Sequence, residues 1–157
     1  MDTLNVAVNT IVSNATDFIY EKSETKSETT LRKNNEHKLV IGNLNGDHTS
    51  IKVELIKPDT REAVQNEGLL DSGATDCFID RNFAKGNLLP VIRLDRAIPV
   101  YNVDGTMNSA GSVTHKTELV MRIKDHYEKV RLYITDLGKK EIIIGHSLRS
   151  ITLTLTG

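Results

Sequence analysis

Tryptophan is absent from this chain, and cysteine occurs only once, as Cys77. A single cysteine excludes an internal disulfide, so a reducing compartment is the simpler expectation. Aromatic residues make up only 4% of the 157 residues, and the core must therefore be built mainly from isoleucine, leucine and valine. This composition predicts one small domain that is held together by aliphatic packing.

An excess of charge of one sign is also missing, since 20 basic and 21 acidic residues leave a formal net charge of −1. Without a basic excess we expect no nucleic-acid partner. No apolar run is long enough to cross a bilayer, and no basic region followed by an apolar stretch opens the chain. We therefore expect no membrane partner, no signal peptide and an intracellular, cytoplasmic location.

Metal-ligand spacing is absent as well. The five histidines are scattered along the chain, and neither they nor Cys77 form a pattern that would hold zinc. Cys77 has no recognisable base beside it, so we expect a small buried hydrophobic residue and not a nucleophile. The sequence predicts no metal site and no cofactor.

The first 36 residues have the composition of a linker. Apolar residues are scattered there, and Lys-Ser-Glu-Thr occurs twice, at 22–25 and 26–29. Such a segment buries too little apolar area to offset the entropy lost on ordering. We expect a disordered or weakly helical linker over residues 1–36 and one folded domain over residues 37–157.

Short apolar segments separated by turn residues predict an all-β fold for that domain. Residues 51–55 and 130–134 alternate between apolar and polar positions, as half-buried strands do. Residues 78–86 are predicted to form a short helix, and residues 91–94 and 98–103 two separate strands. Many short strands joined by turns favour a small barrel or sandwich.

The most informative segment is Leu69–Asp80, in which two leucines lead into Asp71-Ser72-Gly73 before the chain becomes apolar again. A carboxylate at the end of a buried strand is costly unless it is functional or well hydrogen-bonded. Alone, however, Asp-Ser-Gly most often marks an ordinary turn, because Asp and Ser bond to nearby backbone and Gly allows a positive φ.

Two later segments change that interpretation. Val103–Thr106 contains Asp-Gly, a strong signal for a two-residue hairpin turn. Ile142–Gly145 is an apolar run that ends in glycine. Taken in order, the three segments resemble the active-site loop, the flap tip and the closing strand of the retropepsin-like aspartic proteases of gypsy-type LTR retrotransposons. The resemblance covers about residues 50 to 150.

This resemblance implies a small closed β-barrel of retropepsin type with one or two short helices. It implies an aspartic endopeptidase that cuts a retroelement gag-pol polyprotein by activating a water between two carboxylates. Because the chain has one such loop, a homodimer must supply the second Asp71. Ser72 would lock the two loops together, and Gly73 would let the substrate backbone approach closely.

The same resemblance assigns the substrate-binding residues. Ala74 and Thr75 would line the cleft and bond the main chain of an extended polypeptide. Val103, Asp104 and Gly105 would form a flap that folds over the substrate and excludes water. The substrate would then lie as an added strand between the flap and the active-site loop.

The C-terminal segment departs from the family, which continues with Trp-Leu, then His-Asn-Pro and Ile-Asp-Trp. Here Ser147–Ser150 is followed by Ile151–Gly157. Those last residues can be encoded by ATA ACC CTG ACA TTG ACT GG. Read one base earlier, behind a C, the same bases encode His-Asn-Pro-Asp-Ile-Asp-Trp. We therefore expect a frameshift near Ser150 in a truncated copy, which the gene's nucleotide sequence tests directly.

Two alternatives to an active retroelement protease stay open. The first is a catalytically inactive relic that acts at most as a peptide-binding module, because the altered C-terminus puts dimerisation in doubt. A regulatory protease of the ubiquitin-shuttle type would need ubiquitin-like or ubiquitin-binding segments, and none is recognisable in residues 1–36.

Overall fold

The computed structural model of the chain describes residues 38–42 and 49–148. Within them lie eight strands and one helix: β1 Leu39–Ile41, β2 Thr49–Ile56, β3 Ala63–Leu70, β4 Cys77–Asp80, α1 Arg81–Gly86, β5 Ile92–Asn102, β6 Met107–Ile123, β7 His126–Thr135 and β8 Ile142–Ile144. The predicted linker over 1–36 and the altered C-terminal segment fall outside the described residues. In the part that is described, no helix is long and apolar enough to cross a membrane.

Six of these strands close into a barrel, in the order β6–β2–β3–β8–β4–β7 and back to β6. The long strand β6 closes the ring, because its last residues pair with β7 over Lys116–Ile123 and with β2 over Val120–Arg122. The pairs β3–β8 and β4–β7 are parallel, whereas β2–β3 and β6–β7 are antiparallel hairpins. The predicted small closed β-barrel is confirmed.

Strands β7 and β8 are buried on both faces. Ile142 and Ile144 belong to the cluster inside the barrel, whereas Ile143 belongs to a second cluster on the other face; Leu132 and Tyr133 divide in the same way. Alternate side chains of a strand point to opposite faces, so a continuous apolar run fits a strand that is covered twice. The second cluster, called the outer cluster here, consists of Leu39, Ile41, Ala74, Phe78, Val100, Val113, Tyr133, Leu137 and Ile143.

Two further strands extend the sheet beyond the ring. β5 is antiparallel to the first half of β6 and forms a long hairpin with it. β1 lies on the far side of β5 and runs parallel to its end, with Leu39 opposite Val100 and Ile41 opposite Asn102. β1 and β5 thereby cover the outer cluster.

Two predicted boundaries are corrected by the structure. The helix begins at Arg81 and not at residue 78, because Cys77–Asp80 pair as a strand with β7 and β8. Asp80 caps the helix instead, accepting the N–H groups of Asn82 at 3.1 Å and Phe83 at 3.3 Å. The two strands predicted over 91–103 are one strand, β5, whose register against β6 shifts between Arg93 and Ile98.

The position of Ile143 yields a stability prediction. Its side chain is fully buried, and it stands opposite Leu69 and Phe78 on the two neighbouring strands. Ile143→Ala should lower the free energy of unfolding by about 2–5 kcal/mol, because a buried cavity replaces the missing atoms. Val91→Ala, at a side chain that is 55% exposed, serves as the control and should change it by less than about 0.5 kcal/mol. Urea unfolding measures both, and equal effects would contradict the assigned core.

Candidate active site

Asp71 follows the last residue of β3 and is 4% exposed. Its backbone N–H donates to the carbonyl oxygen of Ile144 at 3.0 Å. β3 and β8 are parallel here, with Leu70 opposite Ile144. The aspartate therefore starts a loop at the point where two buried strands end together, and its position is set by the barrel wall.

The carboxylate of Asp71 accepts two backbone hydrogen bonds. Gly73 N–H donates to Oδ1 at 3.0 Å, and Gly42 N–H donates to Oδ2 at 2.9 Å. These donors offset the loss of water around a buried carboxylate. A Cβ atom at residue 42 would lie 2.0 Å from Oδ1, so only glycine allows this approach. The sequence predicted Gly73 as a site residue but contained no signal for Gly42.

The remainder of the loop is held against the glycine that follows β8. The Ala74 carbonyl accepts the N–H of His146 at 2.9 Å. A Cβ on Gly145 would lie 2.1 Å from the carbonyl oxygen of Asp76 and 2.9 Å from that of Ala74. The sequence pattern singled out Gly145 as the end of a strand. The structure gives the reason for it, which is the close approach of the active-site loop.

The β5–β6 hairpin ends above this loop. Asn102 N–H donates to the Thr106 carbonyl at 2.7 Å, and Gly105 N–H donates to the Asn102 carbonyl at 2.9 Å. Gly105 has a φ of 90°. The tip is thus a three-residue loop, residues 103–105, with Gly105 at the left-handed position. The Asp-Gly pair had predicted a two-residue turn, so the observed loop is one residue longer. The predicted hairpin itself is present where the sequence placed it.

The tip residues fall into two groups. Val103 leans towards the active-site loop, because its Cγ2 atom would be 3.2 Å from a Cβ atom built on Gly73. Asp104 and Gly105 are exposed at the end of the hairpin, and Ser72 is exposed on the loop below. The structure therefore brings Val103 and Gly73 together, whereas Asp104 and Gly105 shape the turn.

Asp104 stabilises the hairpin tip. Its Oδ1 accepts the Thr106 hydroxyl at 2.6 Å and the Thr106 backbone N–H at 2.9 Å. These bonds favour the charged form and hold the pKa of Asp104 below its ordinary value. The carboxylate is therefore ionised at neutral pH and ties the two sides of the tip together.

Thr75 hydrogen-bonds an extended piece of the chain's own backbone, whereas the resemblance assigned its bonds to the main chain of the substrate. Its N–H donates to the Val40 carbonyl at 3.0 Å, and its hydroxyl accepts the Val40 N–H at 3.1 Å. The bonded strand is β1 of the same chain, which lies between Thr75 on one side and β5 on the other. Ala74 is buried against it in the outer cluster.

Cys77, at the start of β4, is fully buried in the barrel core. Burial raises the pKa of its thiol to about 11. Its environment is therefore that of the buried hydrophobic residue that the sequence predicted. Over residues 38–42 and 49–148, no group of three or more histidine, cysteine and acidic side chains is placed to hold a metal ion.

The sequence of the chain matches the family described as the PEG10/RTL1 protease domain, over residues 67–148. This match spans just over half of the chain and includes the Asp71 loop, the hairpin and β8. The chain belongs to that family. It is a retropepsin-like, gypsy-derived protease domain, as the three motifs predicted.

Solved structures with distant similarity to this retropepsin-like domain include proteases of several origins. The EIAV protease complexed with the inhibitor HBY-793 is 17% identical, with a TM-score of 0.45, covering 74% of this chain and 96% of that chain. The retroviral protease-like domain of Ddi1 from Leishmania major is 16% identical, with a TM-score of 0.40 and coverages of 65% and 77%. A retropepsin-like aspartic protease from Rickettsia conorii is 17% identical, with a TM-score of 0.41 and coverages of 70% and 75%. The family assignment rests on the sequence match alone.

The hairpin tip yields a pH prediction. A pKa that is lowered in the folded hairpin means that the Asp104–Thr106 bonds stabilise it above the ordinary pKa of aspartate. This contribution is lost as the pH falls through the lowered value. Thr106→Val removes the hydroxyl donor and should raise the Asp104 pKa towards its ordinary value, which an NMR titration of the carboxyl carbon measures. Thr114→Val, at an exposed position further along β6, should leave that titration unchanged.

The buried thiol yields a reactivity prediction. Since the thiolate is the reactive form, a pKa of about 11 leaves roughly one thiol in a thousand ionised at pH 8. Cys77 in the folded protein should therefore react with an aromatic disulfide reagent far more slowly than in urea, at a rate set by unfolding. Absorbance of the released thiolate follows the reaction, and rapid labelling of the native protein would contradict the assigned burial.

Proposed function

We propose that this domain is an aspartic-type endopeptidase in which two copies of Asp71, one from each chain of a homodimer, activate a water. The observation that carries the proposal is the buried carboxylate of Asp71. It lies at the end of β3 in a glycine-containing loop, beneath the β5–β6 hairpin. Membership of a retropepsin-like protease family supports the same activity.

The chemistry needs two carboxylates in different protonation states. One ionised carboxylate removes a proton from the water, and the other, protonated, donates to the carbonyl oxygen of the scissile amide. Two such groups close together share one proton, and the titration belongs to the pair. Gly73 N–H, at 3.0 Å from Oδ1, fixes the orientation of each Asp71 side chain, and Oδ2 would face the reaction once Gly42 N–H has left it.

A second chain is required because each chain contributes one Asp71 loop. Ser72 is exposed on that loop, and its hydroxyl is suited to bond the backbone of the partner's loop. This packing would bring the two loops together across a two-fold axis. The dimer is therefore part of the active site and not an accessory to it.

The substrate lies as an added strand between the active-site loop and the hairpin. The Thr75 N–H and hydroxyl, which bond Val40 in the single chain, would bond the substrate main chain instead, and Ala74 would line the floor. Val103, with Asp104 and Gly105 shaping the turn, covers the cleft from above and excludes water. The natural substrate would be the retroelement polyprotein, cut at extended and largely apolar sites.

A second candidate function is peptide binding without cleavage. It is favoured by one observation, which is that Oδ2 of Asp71 already accepts a hydrogen bond from Gly42 N–H in the single chain. A chain that stays monomeric has half of the carboxylate pair and keeps the apolar outer cluster beside it. Such a molecule would bind extended peptides and would not hydrolyse them.

Replacing the aspartate separates the two functions. Asp71→Asn should reduce cleavage of a fluorescein-labelled casein substrate by about a hundredfold to ten-thousandfold, because the general base is lost. Asp125→Asn, at an exposed position in the β6–β7 turn, should leave the rate unchanged. Equal cleavage by Asp71→Asn and the parent protein would overturn the mechanism, and an undetectable rate in both would favour the peptide-binding function.

Sedimentation equilibrium tests the dimer on which this mechanism depends. We expect a species of twice the 17.5 kDa chain mass at the concentrations at which cleavage is seen. We also expect the rate to fall at alkaline pH, because one carboxyl of the pair must remain protonated. A monomer that cleaves casein, or a rate that still rises at alkaline pH, would contradict the proposed pair.

A further inference from the structure

β1 occupies the place in which a substrate strand would lie. On one edge, residues 39–41 pair in parallel with residues 100–102 of β5, the strand that leads to the hairpin tip. On the other edge, Val40 exchanges hydrogen bonds with Thr75, at 3.0 Å and 3.1 Å. The segment is thus a strand added between the hairpin and the active-site loop.

The side chains of β1 enter the outer cluster. Leu39 and Ile41 are 0% and 3% exposed, whereas Val40, which points the other way, is half-buried. Leu39 and Ile41 both belong to the outer cluster, together with Val100 of β5 and Ala74 of the active-site loop. This arrangement is that of an extended peptide whose alternate side chains fill an apolar cleft.

The end of β1 reaches the carboxylate itself. Gly42 N–H donates to Asp71 Oδ2 at 2.9 Å, so the Ile41–Gly42 peptide bond lies directly at that oxygen. Gly42 also packs on Gly73, since a Cβ atom on Gly73 would be 3.3 Å from Gly42 Cα. The backbone of the segment therefore contacts the same groups that the proposed mechanism uses.

We propose that Leu39–Gly42 is an internal occupant of the peptide cleft, which binds the same chemistry in trans. That chemistry is an extended peptide with bulky aliphatic side chains at two alternate positions, followed by glycine at Asp71. The inference rests on the proposed function in that the cleft is a peptide site.

The competition follows from mass action. A binding site that is free in only a small fraction of molecules shows an apparent affinity reduced by that fraction. A change that expels β1 without altering the cleft should therefore tighten the binding of an added peptide. Gly42→Ala is such a change, because its Cβ would lie 2.0 Å and 2.4 Å from the two carboxylate oxygens of Asp71, and asparagine at residue 71 places atoms at the same two positions.

The experiment uses the full chain carrying Asp71→Asn, so that no peptide is cut. The probe is a fluorescein-labelled Lys-Leu-Val-Ile-Gly-Asn peptide, which has the sequence of residues 38–43, and anisotropy reports its binding. Adding Gly42→Ala should lower the dissociation constant about tenfold or more as the competing strand is released. Gly86→Ala is the matched control, because a Cβ there meets no atom within 4 Å, and it should leave the affinity unchanged.

Two altered peptides test the stated chemistry. A peptide with alanine in place of its glycine should bind at least about tenfold more weakly, because its extra carbon meets the group at residue 71. A peptide with serine in place of the leucine and isoleucine should also lose affinity. Equal binding of all three peptides, or no tightening by Gly42→Ala in a folded protein, would overturn the inference.

Hydrogen exchange of the chain carrying Asp71→Asn alone decides the case even where Gly42→Ala prevents folding. Saturating unlabelled peptide should speed amide exchange at residues 39–42 and leave the β6–β7 hairpin protected. Unchanged exchange at residues 39–42 would show that β1 is a permanent part of the fold and would overturn the inference.

These readouts are independent of cleavage. Tighter peptide binding in Gly42→Ala without any Asp71-dependent cleavage would support the occupied cleft and refute the proposed protease activity. Asp71-dependent cleavage with no effect of Gly42→Ala on peptide affinity would do the reverse.

Discussion

The burial of a single carboxylate is the constraint on which the rest of this structure depends. Asp71 is 4% exposed, and a buried charge without hydrogen-bond donors is too costly to persist. Its two oxygens are satisfied by the backbone N–H groups of Gly73 and Gly42, which come from different parts of the chain. The backbone at residue 42 can approach the Asp71 carboxylate only because glycine has no side chain. A Cβ atom there would lie 2.0 Å from Oδ1. The same reasoning applies to Gly145, which lets β8 meet the carbonyls of the loop. The glycines around the site are therefore consequences of placing a carboxylate where two buried strands end.

The second feature that organises the molecule is the double burial of β7 and β8. Strands with one covered face alternate between apolar and polar residues, but Ile142–Ile144 is apolar throughout and fully buried. One face fills the barrel, and the other requires a cover, which β1 provides together with β5. An apolar surface of this kind is stabilised by removal from water, whichever extended chain covers it. Within the single chain, the aliphatic side chains of Leu39 and Ile41 provide part of that cover.

Much of this could be predicted from sequence because the relevant signals are local. Asp71-Ser72-Gly73 between apolar segments, the Asp-Gly pair at the hairpin and the strand that ends at Gly145 each lie within a few residues. What could not be predicted depends on contacts between distant segments. Gly42 is 29 residues from Asp71, and nothing near it in the sequence indicates which carboxylate it will meet. The helix starts later than its composition suggests, because pairing with β7 and β8 keeps Cys77–Asp80 extended. Tertiary pairing overrides local propensity in such short segments.

In the proposed mechanism, the hydrogen bond from Gly42 N–H to Asp71 Oδ2 would connect three events. These are the release of β1, the binding of a substrate strand and the pairing of two Asp71 loops. In the single chain, Oδ1 of Asp71 is bound by Gly73 and Oδ2 by Gly42. A working pair needs one oxygen of each carboxylate free to share a proton and hold the water. In the proposed mechanism, the Gly42 N–H would have to leave Oδ2 before a second Asp71 completes the site. A ligand that binds better once Gly42 has withdrawn also favours any other binding event that needs Gly42 to be withdrawn. The effect is reciprocal, so each event strengthens the other by the same factor. A substrate strand that displaces β1 would then promote pairing of the two Asp71 loops, and pairing would in turn strengthen substrate binding.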